Sequence, residues 1–317
     1  MRRESEPGAE STAPAEPAAM MNVMRVAVID IGSNTARLLV ADVDGSLESV
    51  REERTYLGLA ADILRHGAVS PTKLEDAATV AGRYARLAAR LDADAVAAVV
   101  TAPGRQGRAS TELVAALTKA VGRPVTVLSA ADEGRFAFLG ATARLEPDGG
   151  IVGVCDVGGG STELVVGTVL LGPAWVRSAD IGSLRLTRLC LNADQAGRKA
   201  VDRARQIVEH ELEPFDAPQV DVALAVGGSA RAAAKIVGRE LGGKDLEDVI
   251  TLTSRTPPAK LARVFGFDAA RAETVLAGAI ILSAVAQRLD MPLRLGRGGL
   301  REGIALTLAR ESAARAA

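Results

Sequence analysis

Two stretches of this chain share one design. VIDIGSNTARLLVADV, residues 28–43, and VCDVGGGSTELVVGTV, residues 154–169, each run a β-type apolar segment into an aspartate, then small turn residues, then a second apolar segment. Laid together, Asp30 matches Asp156, Gly32 matches Gly158, Thr35 matches Ser161 and Leu38 matches Leu164. Strand, tight turn and strand read as a hairpin. Its recurrence points to a duplicated architecture with two lobes, each opening on the same phosphate-sized turn. Strand-turn-strand units are common, so coincidence is the competing explanation.

The rest of the chain alternates strand and helix signals, the pattern of an α/β layered protein. Ser70-Pro71 supplies an N-cap and a first-turn proline, and Leu74, Ala77, Tyr84, Leu87 and Leu91 follow at helical spacing. VAAVVT predicts a strand, STELVAALTKAV a helix, PVTVLS a strand and ADEGRFAFLGATARL a helix. The second half predicts a helix from about Ala193 to Glu211, the strand VALAV, a Gly-Gly-Ser opening the helix ARAAAKIV, and a helix from Ala269 to Leu289. The strand PLRLG and the helical LREGIALTLARE close the chain.

At 317 residues, two domains of ~150 residues are expected. Aromatics are only 3% against 48% apolar residues, so the cores must be built from Ala, Val and Leu. A net charge of −1 gives no global field for nucleic acid or an anionic membrane, so attraction to a polyanion has to be local. Cys155 and Cys190 have no CxxC spacing, which fits a reducing, cytoplasmic location. His66, in a loop-like LRHG, and His210, ending a polar helix, lack ligand-spaced companions. Residues 1–23, of which the first 20 are rich in Pro, Ala, Glu and Ser, read as a disordered tail without a signal-peptide core, and Met20, Met21 and Met24 are further candidate starts. No apolar run is expected to reach the ~20 residues of a membrane span.

The chemistry gathers at the turns. Amides converge on an anion only where side chains do not obstruct them and φ is free to turn positive. Gly158, Gly159, Gly160 and Ser161 form one such nest, and Gly32, Ser33 and Asn34 its counterpart. Gly227, Gly228 and Ser229 form a third, at a helix N-terminus where the dipole also favours anions. A tight hairpin turn explains any one of them alone; three together, two preceded by Asp, favour phosphate. Acids so close to an anion site call for a cation between. Asp30, Asp156 and Glu163 are thus candidate ligands of Mg²⁺, with Mn²⁺ as the alternative. Turn capping is the plainer role for Asp.

VIDIGSNTARLLVADV, CDVGGGSTELVVG, ADEGRFAFLGA, IGSLRLTRL, VGGSARAAAKI and GLREGIALTL occur in the order found in the exopolyphosphatase and pppGpp phosphohydrolase (Ppx/GppA phosphatase) family. From Met24 onward the chain resembles a short, two-domain member. The resemblance implies two ribonuclease-H-like lobes of the actin, Hsp70 and sugar-kinase superfamily around an interlobe cleft. By this resemblance residues 24–130 form the first lobe, to which a helix over about 300–317 returns, and residues 131–299 form the second. It makes Glu133, in Asp132-Glu133-Gly134-Arg135, the catalytic base, and places Asp156 and Glu163 where metal and attacking water are managed. Gly158 to Ser161 then hold the terminal phosphate, Asp30, Gly32, Ser33 and Asn34 form the first-lobe loop, and Arg105 of TAPGR contacts phosphate. A homodimer is a further expectation.

Departures fall at the periphery. TAPGRQGRAS replaces T-S-A-x-R-x-A-x-N, Tyr56-Leu57-Gly58-Leu59-Ala60 replaces R-L-G-x-G, and Gly296-Arg297-Gly298-Gly299 replaces S-D-R-G. Arg83, Arg86 and Arg90 read as a solvated helix face, whereas Arg297 and Arg301 could guide a polyanion if near the cleft. The implied enzyme is a phosphoric anhydride hydrolase, an Mg²⁺-dependent exopolyphosphatase. Alternatives are a pppGpp 5′-phosphohydrolase, a non-catalytic sensor of polyphosphate or alarmone, and a kinase of the same superfamily.

Overall fold

The structure, a computed structural model, describes residues 23–105, 108–192 and 195–316, so the expected N-terminal tail lies outside it but for one residue. The first lobe opens with three antiparallel strands, β1 (Met24–Ile31), β2 (Thr35–Val43) and β3 (Leu47–Tyr56). Helices α1 (Leu59–His66) and α2 (Pro71–Arg90) lead to β4 (Ala95–Val100), parallel to β1. A 3₁₀ turn (Ala102–Arg105) and α3 (Arg108–Val121) lead to the short β5 (Thr126–Val127), and the sheet order is β3-β2-β1-β4-β5.

After α4 (Ala130–Thr142) the plan repeats with β6 (Ile151–Val157), β7 (Thr162–Thr168) and β8 (Gly172–Ala179). Then come α5 (Ser183–Cys190), α6 (Arg198–Leu212), β9 (Val222–Val226), α7 (Gly227–Val237) and β10 (Glu240–Leu241). Helices α8 (Gly243–Ser254), α9 (Pro258–Phe265) and α10 (Ala269–Leu289), strand β11 (Leu293–Leu295) and α11 (Leu300–Ala316) complete the chain. Its order, β8-β7-β6-β9-β11 with β10 added at the edge, is that of the first sheet. The two ribonuclease-H-like lobes expected from the sequence are therefore present.

The duplication extends to details. In each hairpin the turn closes with one bond, Gly32 N to Thr35 O and Gly158 N to Ser161 O, both 3.0 Å. The one irregularity in each β2/β3-type pairing falls at matching places, Val40/Ala41 and Val166/Gly167. Strand β1 is apolar on both faces because both are covered. Ala27, Ile29 and Ile31 pack against Ala77, Ala81 and Tyr84 of α2 and Leu113 and Leu117 of α3. Val26 and Val28 meet Ile304, Ala305 and Ala309 of α11. On the second sheet, Val152, Val154 and Val226 pack on Ala137, Phe138 and Ala141 of α4. Helices α4 and α11 also pack on each other. They form the seam between lobes, and at Gly140 and Gly303 a side chain would run into the partner helix's backbone.

Several expectations change. The polar LESVREERTY is a strand, β3, because it lies at a sheet edge with most side chains in water. Strand β8 and helices α1 and α5 also lacked a clear signal. LRHG is the end of α1, so His66 closes a helix rather than sitting in a loop, with Nε2 3.7 Å from Asp62. Residues 195–197 are not helical; the helix expected from Ala193 begins at Arg198, after an extended Gly197. Within PVTVLS only Thr126 and Val127 pair. Helix α10 corrects the reading of hydropathy, since its 21 residues are apolar enough to cross a membrane; 72% of that window is buried here, among α5 to α9.

The seam makes a prediction. Gly140→Ala or Gly303→Ala should destabilise the protein by about 1–3 kcal/mol or more through overpacking, measured by denaturant unfolding. An unchanged midpoint would show that α4 and α11 cross more loosely than described.

Candidate active site

The two glycine turns face each other at the ends of β1 and β6. A Cβ built on Gly160 would lie 3.0 Å from Ser33 Oγ, and one on Gly159 3.2 Å from Asn34 Nδ2. Each turn is held from behind by backbone. Asn34 O accepts from Leu57 N at 2.8 Å and Gly58 N at 3.1 Å, while Gly158 O accepts from Ser183 N at 2.9 Å. The altered Tyr56–Ala60 segment thus supports the first turn through amides, which side-chain changes leave intact.

Between the turns lies a cavity of about 150 Å³. Asp30, Gly32, Ser33, Asn34, Glu133, Asp156, Gly158, Gly159, Gly160, Ser161, Gly227 and Gly228 all line it, so most of the predicted site comes together from both lobes. The N-terminal residues of α7, α10 and α11 face it as well, through Gly227, Ala270 and Leu300, and helix N-termini favour anions. Gly227 adopts φ 80°, and a side chain there would strike Asp156.

Three predicted residues stand behind the lining. Ser229 is buried and donates to Val157 O at 3.0 Å, bracing α7 on β6. Glu163 is 1% exposed, pairs in register with Asp156, and accepts from Ser178 Oγ at 2.9 Å. Arg105 donates from Nη1 to Glu133 Oε2 at 2.8 Å and to Leu128 O at 2.9 Å. Here it orients the candidate base rather than facing the cavity.

Five lining arginines, Arg37, Arg54, Arg231, Arg271 and Arg301, complete the wall. Only Arg301 was singled out from sequence; Arg297, its companion in that reading, is exposed and outside the lining. Arg37 had a signal in the repeat, because it pairs with Asp30 as Glu163 pairs with Asp156. The second lobe's buried acid has a basic counterpart in the first.

Burial dominates the electrostatics. It pushes Asp30 up to about 6, against the pull of Arg301 and Arg37, and Glu133 up to about 7, against the pull of Arg105. It also raises Asp156, and raises Glu163 well above the carboxylate range with help from Glu133 and Asp156. Arg37 and Arg271 are both drawn down to about 10, by burial first and then by neighbouring arginines. Asp30 Oδ1 and Asn34 Oδ1 are buried acceptors without hydrogen-bond partners among the described residues. Such atoms call for a donor or a cation. Among the described residues no group of three or more His, Cys, Asp or Glu forms a ready metal cage. Asp30 and Asp156 would instead share an ion with substrate oxygens, the usual arrangement for Mg²⁺.

Comparison with known proteins finds relatives over most of the chain. A family model described as the Ppx/GppA phosphatase family matches residues 38–311. Exopolyphosphatase 2 of Mycobacterium tuberculosis is 30% identical, covering 91% of this chain and 100% of that protein. Guanosine-5′-triphosphate,3′-diphosphate pyrophosphatase of Vibrio cholerae is 25% identical over 88% of this chain but 58% of its own length. The crystal structure of the Aquifex aeolicus Ppx/GppA family member superposes with a TM-score of 0.79 at 28% identity, covering 92% of this chain and 99% of that one.

Because the Asp30 pKa is raised in the fold, its ionised form is disfavoured there. Stability should fall as pH rises from the ordinary Asp range through about 6. At pH 7.5 Asp30→Asn should therefore stabilise the protein, by about 1–2 kcal/mol in denaturant unfolding. Destabilisation would mean that the carboxylate has a partner the geometry does not reveal.

Proposed function

The chain belongs to the Ppx/GppA phosphatase family, a family of phosphoanhydride hydrolases, and on that premise we propose that it removes terminal phosphate from inorganic polyphosphate, working inward from the chain end. The observation that carries the reading is what lines the cavity: carboxylates and glycine turns, with a run of arginines that begins at Arg37, the strand partner of Asp30, and extends to Arg54. A linear polyanion matches that series.

Phosphoryl transfer to water needs positioning and charge neutralisation more than covalent help. The amides of Gly159, Gly160 and Ser161, with Ser33 and Asn34 opposite, are suited to hold the terminal phosphate, while the Gly158 amide closes the turn on Ser161 O. Glu133, directed by Arg105, takes a proton from a water as its oxygen bonds to the terminal phosphorus. The bridging P–O bond breaks, and the shortened chain leaves with its charge facing Arg37, Arg231 and Arg301. Mg²⁺ or Mn²⁺ on Asp30 and Asp156 would neutralise phosphate oxygens when bound. Glu163, held by Ser178 beneath the glycine turn, acts on the site through its neighbours Glu133 and Asp156.

Removal of the 5′ phosphate of pppGpp is the second reading, favoured by the Vibrio cholerae relative. One feature weighs against it: no aromatic side chain lines the cavity among the described residues.

Phosphate release from long-chain polyphosphate, tripolyphosphate and pppGpp, with and without Mg²⁺, tests the proposal. Metal-dependent release is expected, with polyphosphate preferred. Glu133→Gln should lower kcat by about 10²–10⁴-fold while sparing binding. Unchanged turnover would remove Glu133 from its role; binding of every substrate without release would favour the sensor. A base must be ionised, so activity should rise with pH through about 7. Arg105→Met should move that rise to higher pH, since Arg105 favours ionised Glu133.

A further inference from the structure

The charges around the cavity form a series that ends outside it. Glu133 feels Asp156 and Asp30; Asp30 feels Arg301 and Arg37; Arg37 feels Arg301, Arg231 and Arg54. Arg271 feels Arg54, Asp268 and Arg231. Followed from neighbour to neighbour, the order runs from the base to Asp268. There Arg54 of β3, in the first lobe, and Asp268, preceding α10 in the second, form an ion pair at 2.7 Å. Their side chains are 40% and 44% exposed, so the pair sits at the rim. Arg54 lines the cavity and Asp268 does not.

Asp268 has two attachments. Oδ1 accepts from Arg271 N at 2.9 Å and caps α10, while Oδ2 holds Arg54 Nη1. Arg301 is 3.5 Å from Glu52, and Arg37, Arg231 and Arg271 have no ion-pair partner within bonding reach among the described residues. Arg37, Arg231 and Arg271 thus line the cavity free to meet phosphate, whereas Arg301 has Glu52 beside it and the outermost, Arg54, is held more closely by a carboxylate of the other lobe.

We propose that Asp268 is a chain-length determinant that acts through Arg54. With the cleft closed, its carboxylate occupies Arg54 in place of a phosphate. A polyphosphate long enough to reach the rim must displace that carboxylate and pass beside its charge. A short one, ending at the inner arginines, leaves the clasp closed over it. Asp268 is a positioning residue in this scheme and touches no reacting atom. The inference rests on the polyphosphate reading above.

The test is Asp268→Asn, chosen because Asn also caps helices and leaves the start of α10 intact. For long-chain polyphosphate KM should fall about two- to five-fold, the scale of a rim ion pair, with kcat unchanged. For tripolyphosphate both constants should stay as in the parent protein. Asp268→Glu, which keeps the charge, should restore the parent behaviour, and in an Arg54→Gln background Asp268→Asn should have little further effect. Equal changes at both lengths, a change confined to kcat, or no change would overturn the proposal and leave the pair as a simple lobe contact. Binding of the same two ligands to Glu133→Gln protein, with and without Asp268→Asn, gives a readout without turnover. If the parent protein releases no phosphate from either chain, the functional reading fails; if length dependence of binding ignores Asp268, the clasp fails.

Discussion

Asp30 and Asp156 end two central strands that meet across the cleft, and neither has an ion-pair partner within bonding reach among the described residues. Burying a carboxylate without a partner is costly, and a fold retains such groups where something else completes them. Raised pKa values at Asp30, Asp156, Glu133 and Glu163, together with the orphaned Oδ1 of Asp30, express that incompleteness. Arginines forced together beside them carry the complementary deficit. A phosphate chain with a divalent cation relieves both at once, since anion meets arginine and cation meets carboxylate.

The architecture holds this unstable arrangement in place. Each lobe supplies one polar turn at the end of its first strand, closed by the Gly32 or Gly158 amide and tied down by backbone bonds to Asn34 O and Gly158 O. The seam of α4 and α11 then fixes how the turns oppose each other. Helix α4 brings Glu133 in on its first turn, and α11 brings Arg301 in on its own. Close contact at Gly140 and Gly303 lets the two helices meet almost backbone to backbone, so base and arginine are set by one contact.

Much of this was legible in the sequence, for physical reasons. The paired turns stood out because aspartate followed by small residues between apolar runs has few structural solutions, and α10 because 21 residues of core helix carry a continuous signal. Strand β3 was hidden because a solvated edge strand need not look apolar, and α5 because eight residues give little periodicity. Within the site, turn residues were found through backbone demands, whereas the arginine wall was not. Arg37, Arg54, Arg231 and Arg271 come from β2, β3, α7 and α10, and no local pattern links residues that only tertiary folding gathers. Arg105 was found by its place in TAPGR, but its partner in the fold is Glu133.

The central claim is that one phosphate chain engages both the glycine turns beside the carboxylates and the arginines of a single cavity. The most direct measurement is a crystal structure of Glu133→Gln protein with tripolyphosphate and Mg²⁺. The account predicts the terminal phosphate on the amides of Gly159 and Gly160, with the chain running toward Arg37 and Arg231. Tripolyphosphate lodged elsewhere, for instance in the pocket between Arg188 and Glu273, would contradict it.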